Sequence, residues 1–199
     1  MKKKSIAVVL ALVLLVCCAV GGVLAWLTAT SGPVVNTFTV GNVDITLAES
    51  ENLNLKMVPG QTIVKDPKVT VVGGSEACWL FVKVEESDNL DSYIEYTVDS
   101  DVWTALPGEN GVYYREVSAE VAKAGVEYNV LGAGNATYSN VVYSWNANQV
   151  LVKPSVTKDM MDKIDNGTAT EPTLTFTAYA CQSAGFETAA AAWTANFAS

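Results

Sequence analysis

Short runs of strand-forming residues fill most of the chain after about residue 36. Ten such runs, rich in Val, Thr, Tyr, Ile and Phe, are separated by Gly, Pro, Asn and Asp, a pattern typical of short β-strands joined by turns. The runs lie at residues 37–47, 62–72, 78–85, 93–98, 102–106, 111–117, 128–131, 141–145, 149–152 and 173–182. We therefore predict an all-β fold built as a two-sheet sandwich with short peripheral helices.

Three of these runs carry more detailed signals. The run 173–182 is regular, with Leu174, Phe176, Ala178 and Ala180 on one face and Thr175, Thr177, Tyr179 and Cys181 on the other. We predict that it is a central rather than an edge strand and that Phe176 is buried, as we expect of Phe38. The run 37–47 changes phase at Gly41 and Asn42, which predicts a β-bulge there. The glycine-containing loop 107–111 predicts a hairpin between 103–106 and 112–117.

Two segments have helical rather than strand periodicity. Residues 158–164 follow Thr157, a suitable N-cap, and precede the terminating pair Asn166 and Gly167. An alanine-rich segment after Thr188 places Trp193 and Phe197 four residues apart on one helical face. We expect these aromatic side chains to pack on the sandwich, the alternative being a docking surface for a neighbour.

The amino terminus has the layout of a secretory signal peptide. Lys2, Lys3 and Lys4 precede 22 uncharged residues, 6–27, and Val23 and Ala25 provide small side chains at the exit of this segment. We predict a signal helix cleaved between Ala25 and Trp26, which divides the chain into a signal peptide (1–25), a linker (26–36) and one β-sandwich domain (37–199) that ends in the alanine-rich helix. The protein would then be secreted.

There are two alternatives to a cleaved signal peptide, a retained membrane anchor and a lipoprotein site. About 20 apolar residues suffice to cross a bilayer, so a retained anchor is an alternative; the glycine pair 21–22 and the lack of a charged stop argue against it. A lipoprotein site at Cys17 or Cys18 is disfavoured because Val16 and Cys17 precede them, where small Gly, Ala or Ser is needed.

The charge of the cleaved chain restricts its partners. All 21 acidic residues follow the leader, which removes three of the 12 basic residues, leaving nine basic residues and a net charge of −12. Such a surface repels phosphate backbones, so we expect no nucleic-acid partner. Solubility outside the cell explains the charge most simply, and recruitment of cations is the functional alternative.

Two cysteines, Cys78 and Cys181, remain after cleavage. An even number in an exported protein permits one disulfide. Each cysteine also lies in a strand-like run, where a small buried apolar residue would fit equally well. Both interpretations stay open from the sequence.

The composition argues against most catalytic chemistry. The chain has no histidine, which excludes Ser-His-Asp and Cys-His catalysis and histidine-containing zinc sites. An acidic series could ligate calcium but lacks the twelve-residue calcium-loop spacing, and we interpret it as a solvated loop face: Glu85, Glu86, Asp88, Asp91, Asp99 and Asp101. We expect no enzymatic activity and no cofactor.

Four segments of the chain resemble the TasA/camelysin family. They are Gly-Gly-Val-Leu-Ala-Trp-Leu at 21–27, Asn-Thr-Phe-Thr-Val-Gly-Asn-Val-Asp-Ile-Thr-Leu-Ala-Glu at 36–49, Val-Pro-Gly-Gln-Thr-Ile-Val-Lys-Asp-Pro-Lys-Val-Thr at 58–70 and Trp-Leu-Phe-Val-Lys-Val at 79–84. The resemblance is specific over residues 20–85 and looser up to residue 182. It implies export from a Gram-positive bacterium through a SipW-type signal peptidase.

The resemblance also implies a jelly-roll sandwich that assembles into extracellular biofilm matrix fibres. In that family the freed amino-terminal segment acts as a donor strand for the next subunit, which maps here to residues 26–35. Trp26 and Leu27 would be apolar anchors at one end of the segment, and Val34 and Val35 at the other, on either side of a proline that cannot donate a ladder hydrogen bond.

Two classes of function remain as hypotheses. The first is a structural subunit of matrix fibres on the cell surface, whose partners are further copies of itself and other matrix proteins. The second is a monomeric secreted or surface-attached binding module or adhesin without enzymatic activity.

Overall fold

The computed structural model describes residues 42–50 and 56–198, which are mostly β-strands with a few short helices. The strands are β1 (Ile45–Ala48), β2 (Thr62–Val64), β3 (Lys68–Val71), β4 (Cys78–Glu86), β5 (Ile94–Glu95), β6 (Thr104–Ala105), β7 (Val112–Val117), β8 (Val126–Asn129), β9 (Gly134–Tyr138), β10 (Val141–Trp145), β11 (Gln149–Val152) and β12 (Leu174–Gln182). The α-helices are α1 (Ala119–Ala124), α2 (Lys158–Asp165) and α3 (Ala189–Asn196), and a 3₁₀ turn spans Leu90–Ser92.

The strands form four antiparallel sheets. The largest has the order β12-β4-β7-β6, two three-stranded sheets have the orders β1-β3-β8 and β2-β11-β5, and β9 pairs with β10 alone. The prediction of an all-β chain with short helices is thereby confirmed.

The main core lies between the four-stranded sheet and the sheet β1-β3-β8. Alternate residues of β3 and β4 point into it, because successive side chains of a strand lie on opposite faces. The fully buried members from these two strands are Val69, Val71, Cys78, Leu80 and Val82. Helix α1 adds Ala122 to the same core, and Ser118 caps this helix by accepting a hydrogen bond from the Val121 backbone N–H.

The opposite face of the four-stranded sheet carries an aromatic layer covered by α3. Thr188 caps this helix by accepting a hydrogen bond from the Ala191 backbone N–H at 3.2 Å. Trp193 is 5% exposed, and its ring centroid lies 5.2 Å from that of Phe81. The expected packing of the carboxyl-terminal aromatic residues on the β-sheet is therefore confirmed.

Two further sequence predictions hold and two elements were missed. The structure contains the hairpin from β6 to β7, and α2 begins after the cap Thr157. The sequence did not predict α1, or β9, whose start at Gly134 has low strand propensity. Gly41, where the bulge was expected, and Phe38 lie outside the described residues.

The run 62–72 was expected to be one strand and is two. β2 belongs to the sheet with β11, whereas β3 belongs to the sheet with β1 and β8. The break contains Asp66 and Pro67, both buried. Proline lacks the N–H that a continuous ladder needs, which explains why the chain leaves one sheet here and enters another.

The run 173–182 was expected to be a central strand, and this prediction is wrong. β12 lies at one end of the four-stranded sheet, with β4 as its only ladder partner among the described strands. Phe176 is consequently only partly buried rather than fully buried. The alternation itself is present: Phe176, Ala178 and Ala180 pack on the main core, and Tyr179 and Cys181 on the aromatic layer.

Candidate assembly site

The outer edge of β12 presents a row of backbone groups that have no ladder partner among the described strands. In the pair between β12 and β4, Thr173 accepts a hydrogen bond from the Ser87 N–H at 3.0 Å, while the Val84 N–H points to Gly111 in the other direction at 2.8 Å. The backbone N–H and C=O groups of the odd-numbered residues of β12 therefore point toward β4. Those of the even-numbered residues, from Leu174 to Gln182, point outward.

This edge lacks the features that usually protect an edge strand. Natural sheets blunt their edges with charged side chains, prolines, bulges or very short strands. β12 is nine residues long, and its sequence, Leu-Thr-Phe-Thr-Ala-Tyr-Ala-Cys-Gln, has no charge and no proline. Its register with β4 runs without a bulge from Leu174 to Gln182. The edge is thus well suited to pair with another strand.

The strand β1 lies beside β12 without pairing to it. Some of their Cα atoms are within 8 Å, yet the two strands belong to different sheets. Lys65 marks where β1 ends along β12, because its Nζ lies 2.7 Å from the carboxylate of Glu49 and 5.5 Å from the centroid of the Phe176 ring. The first residues of β12 continue past this point.

An apolar groove of about 530 Å³ borders these first residues of β12. Thr173, Leu174 and Thr175 line it together with residues from all three strands of the sheet β2-β11-β5. The apolar lining includes Met57, Ile63, Leu90, Ile94, Val150 and Ile164. We call this cavity, together with the adjoining outer edge of β12 at residues 173–175, where Leu174 has the outward backbone groups, the edge groove. It combines unpaired backbone with apolar surface, as a binding site for an extended segment requires.

Asp66 fixes the chain that follows β1. Its carboxylate accepts hydrogen bonds from the backbone N–H of Ser50, at 3.0 Å, and from the Ser50 hydroxyl. Burial raises the pKa of Asp66, but the two Ser50 hydrogen bonds, with a smaller contribution from the positive charge of Lys68, outweigh it and hold the pKa below its ordinary value.

The lowered pKa makes this contact pH-dependent. A carboxylate with a depressed folded-state pKa contributes stability that is fully present above its unfolded pKa of about 4 and is lost as the pH falls through the folded value. As the pH is lowered below about 4, we expect the urea concentration at the unfolding midpoint to decrease more steeply for the wild type than for Asp66→Asn. Parallel curves for both proteins between about pH 2 and 6 would show that Asp66 does not contribute.

Cys78 and Cys181 are both free thiols in the structure, so the candidate disulfide is not formed. The register of β12 and β4 places Gln182 opposite Cys78 and Trp79 opposite Cys181. The two cysteines therefore face different layers, Cys78 the main core and Cys181 the aromatic layer. Burial, with a smaller effect of Cys181, raises the pKa of the Cys78 thiol to about 11, which keeps it protonated at neutral pH.

The remaining predicted site residues lie outside the described residues. They are the cleavage residues Val23, Ala25 and Trp26 and the donor-segment anchors Trp26, Leu27, Val34 and Val35. Within residues 42–50 and 56–198, no group of three or more acidic or cysteine side chains is arranged to hold a metal ion. None of the helices in this part of the chain has the length and apolar character needed to cross a membrane.

Sequence reasoning did not predict the edge groove. The groove combines residues from separate parts of the chain, such as Met57, Leu90 and Thr173, and no local pattern links them. Comparison of the chain with protein families, curated proteins and solved structures finds no match.

Proposed function

We propose that this protein is a secreted structural subunit of extracellular biofilm matrix fibres. Its β-sheets would form a jelly-roll sandwich completed by a donor strand, residues 26–35 of a neighbouring copy, after a SipW-type signal peptidase removes the leader at Ala25. The observation that carries the proposal is the uncharged edge of β12, which has no partner among the described strands and lies beside an apolar groove.

An incoming strand would bind both parts of the edge groove, the backbone edge of β12 and the apolar cavity. Its backbone would hydrogen-bond to the outward groups of β12, and its alternate side chains would enter the apolar cavity. Val34 and Val35 have the β-branched shape that fits a pleated strand. Trp26 and Leu27 offer larger apolar anchors at the other end of the segment.

This mode of pairing leads to filaments. The donor segment and the edge groove are different surfaces, so each added copy leaves one donor and one groove free at the two ends, and the assembly does not close unless the rotation forms a ring. The proposed partners are further copies of the chain and other matrix proteins. We propose no enzymatic activity, because the chain has no histidine and is best explained as a structural element.

Deletion of residues 26–35 tests the donor. The shortened secreted chain should remain folded and monomeric, because the deletion leaves the described β-sheets intact. Sedimentation velocity and electron microscopy should detect filaments only for the complete mature chain. A synthetic peptide of residues 26–35 should bind the shortened chain and cap growth of the complete one.

Thr175→Lys tests the acceptor. Thr175 is exposed and lines the edge groove, so a lysine there adds the kind of charge that protects natural edge strands. Thr104→Lys is the matched control, because Thr104 is also exposed but lies on β6, at the opposite end of the same sheet. We expect filaments from the control and not from Thr175→Lys.

The two defective chains should complement each other once. Thr175→Lys retains its donor segment and the deletion variant retains its edge groove, so an equal mixture should form a complex of one copy of each and stop. Filaments from the deletion variant alone would contradict donor-strand assembly. A complete mature chain that stays monomeric would favour the binding module or adhesin.

A further inference from the structure

The hairpin of β9 and β10 has one face attached to the rest of the fold. Trp145 at its base is 4% exposed and lies against Gly134, where a Cβ atom would approach the indole Cζ2 to 2.3 Å. Tyr138 donates a hydrogen bond from its hydroxyl to Glu95 at 2.6 Å and packs edge-on against Tyr143. The hydrogen bond to Glu95 joins the hairpin to β5, whereas the contacts of Trp145 with Gly134 and of Tyr138 with Tyr143 lie within the hairpin.

The opposite face of the hairpin is exposed, and neither edge has a ladder partner among the described strands. Asn135, Thr137, Val142 and Ser144 share this face and are all exposed. The sheet has two strands only, so β9 and β10 each have an edge without a partner among the described strands. The turn has Ser139 and Asn140 at φ values of 49° and 64°, so the pair Tyr138 and Val141 is hydrogen-bonded and the backbone groups of Val142 point outward.

This face carries no charge, and its one apolar side chain, Val142, is 64% exposed. Val141 next to it is 52% exposed but lies on the opposite face, with Tyr143. No charged residue occurs between Glu127 and Lys153 in the sequence, although 17% of the whole chain is charged. An exposed, uncharged strand edge of this kind favours pairing with another strand.

The net charge of the chain favours a second copy as the partner that binds this hairpin surface. Copies of a chain with a net charge of −9, or −12 without the leader, repel one another wherever their acidic surfaces meet. Contact between copies is least opposed where neither copy carries charge, because juxtaposed like charges disfavour contact elsewhere. The uncharged hairpin therefore suits a second copy of itself, whereas a charged partner would gain nothing there.

We propose that the outer face and free edge of the β9–β10 hairpin form a self-association surface, through which copies of this chain in adjacent filaments contact each other side by side. This inference rests on the proposed fibre function. A single hairpin contact is smaller than a standard stable interface, so isolated subunits associate weakly. Filaments repeat the contact many times, and the summed contacts produce bundles.

Val142→Lys tests this surface, with Val121→Lys as the matched control. Val121 is also exposed, at 39%, but lies on α1 rather than on the hairpin. Both variants gain one positive charge at an exposed position and should unfold at the wild-type temperature. Electron microscopy should show bundles for the wild type and Val121→Lys, and single filaments for Val142→Lys.

The outcomes separate this inference from the proposed function. Bundles of equal width for Val142→Lys and wild type, or wild-type filaments that never bundle, would overturn the hairpin contact while leaving fibre assembly intact. If the wild type forms no filaments, the proposed function fails, and sedimentation velocity at high protein concentration decides on the hairpin. A wild-type dimer that Val142→Lys lacks would support the contact, and equal masses would overturn it.

Discussion

Replacing Phe81 by alanine is expected to lower the free energy of unfolding by about 3–5 kcal/mol. Phe81 is fully buried in β4, and its ring centroid lies 5.2 Å from that of Trp193 and 5.7 Å from that of Phe197. Alanine would leave a cavity between the four-stranded sheet and α3, and both aromatic contacts would be lost. The loss approaches the whole stability of a marginal domain, about 5–15 kcal/mol.

Urea unfolding followed by tryptophan fluorescence measures this effect. Phe186→Ala is the control, because Phe186 packs on the same aromatic layer but is only partly buried. We expect a clearly smaller destabilisation for it. Equal losses for the two variants would show that Phe81 has no special place under α3.

Gly111→Ala should destabilise the protein by about 3–4 kcal/mol, the second largest effect we expect. Gly111 has a φ of 72°, which non-glycine residues rarely adopt, and a Cβ there would lie 2.5 Å from the Val84 carbonyl oxygen. The Val84 N–H also donates to the Gly111 carbonyl at 2.8 Å, so the two backbones cannot move apart without breaking this bond.

Gly108 in the same loop separates the two causes. Its φ is 87°, but no atom lies within 4 Å of the position of its Cβ. Gly108→Ala should therefore cost only the positive-φ penalty of about 1–2 kcal/mol. Thermal unfolding of both variants gives the comparison. An equal cost at the two positions would mean that the close approach to Val84 is readily relieved.

The sequence predicted side-chain faces better than it predicted neighbours. Alternation in the run 173–182 correctly separated the residues of the main core from those of the aromatic layer. It was wrong about the position of β12 in the sheet, because both faces of an end strand can be covered, here by β1-β3-β8 and by α3. Alternation reports what lies above and below a strand and not what lies beside it.

The sequence predicted the bounds of some strands correctly. The strands at 141–145 and 149–152 were predicted at their observed bounds. Asp66 and Pro67 were a readable interruption of the run 62–72, since proline disfavours a central strand, but the apolar pattern on either side masked it. The edge groove could not be derived from the sequence, because it depends on the packing of the sheet β2-β11-β5 against the start of β12.

The two layers that enclose β12 set a requirement on any strand that extends its sheet. Aliphatic side chains of the main core lie on one side of β12, and rings such as Tyr179 and Trp193 lie on the other. A strand with one apolar and one polar face, which suffices at the surface of most sheets, would leave one of these layers uncovered. Consecutive residues of any strand point to opposite faces, so a donor that carries two apolar residues in succession, as the sequence has at 34–35, would cover both layers, and sequences with simple alternation would be rejected.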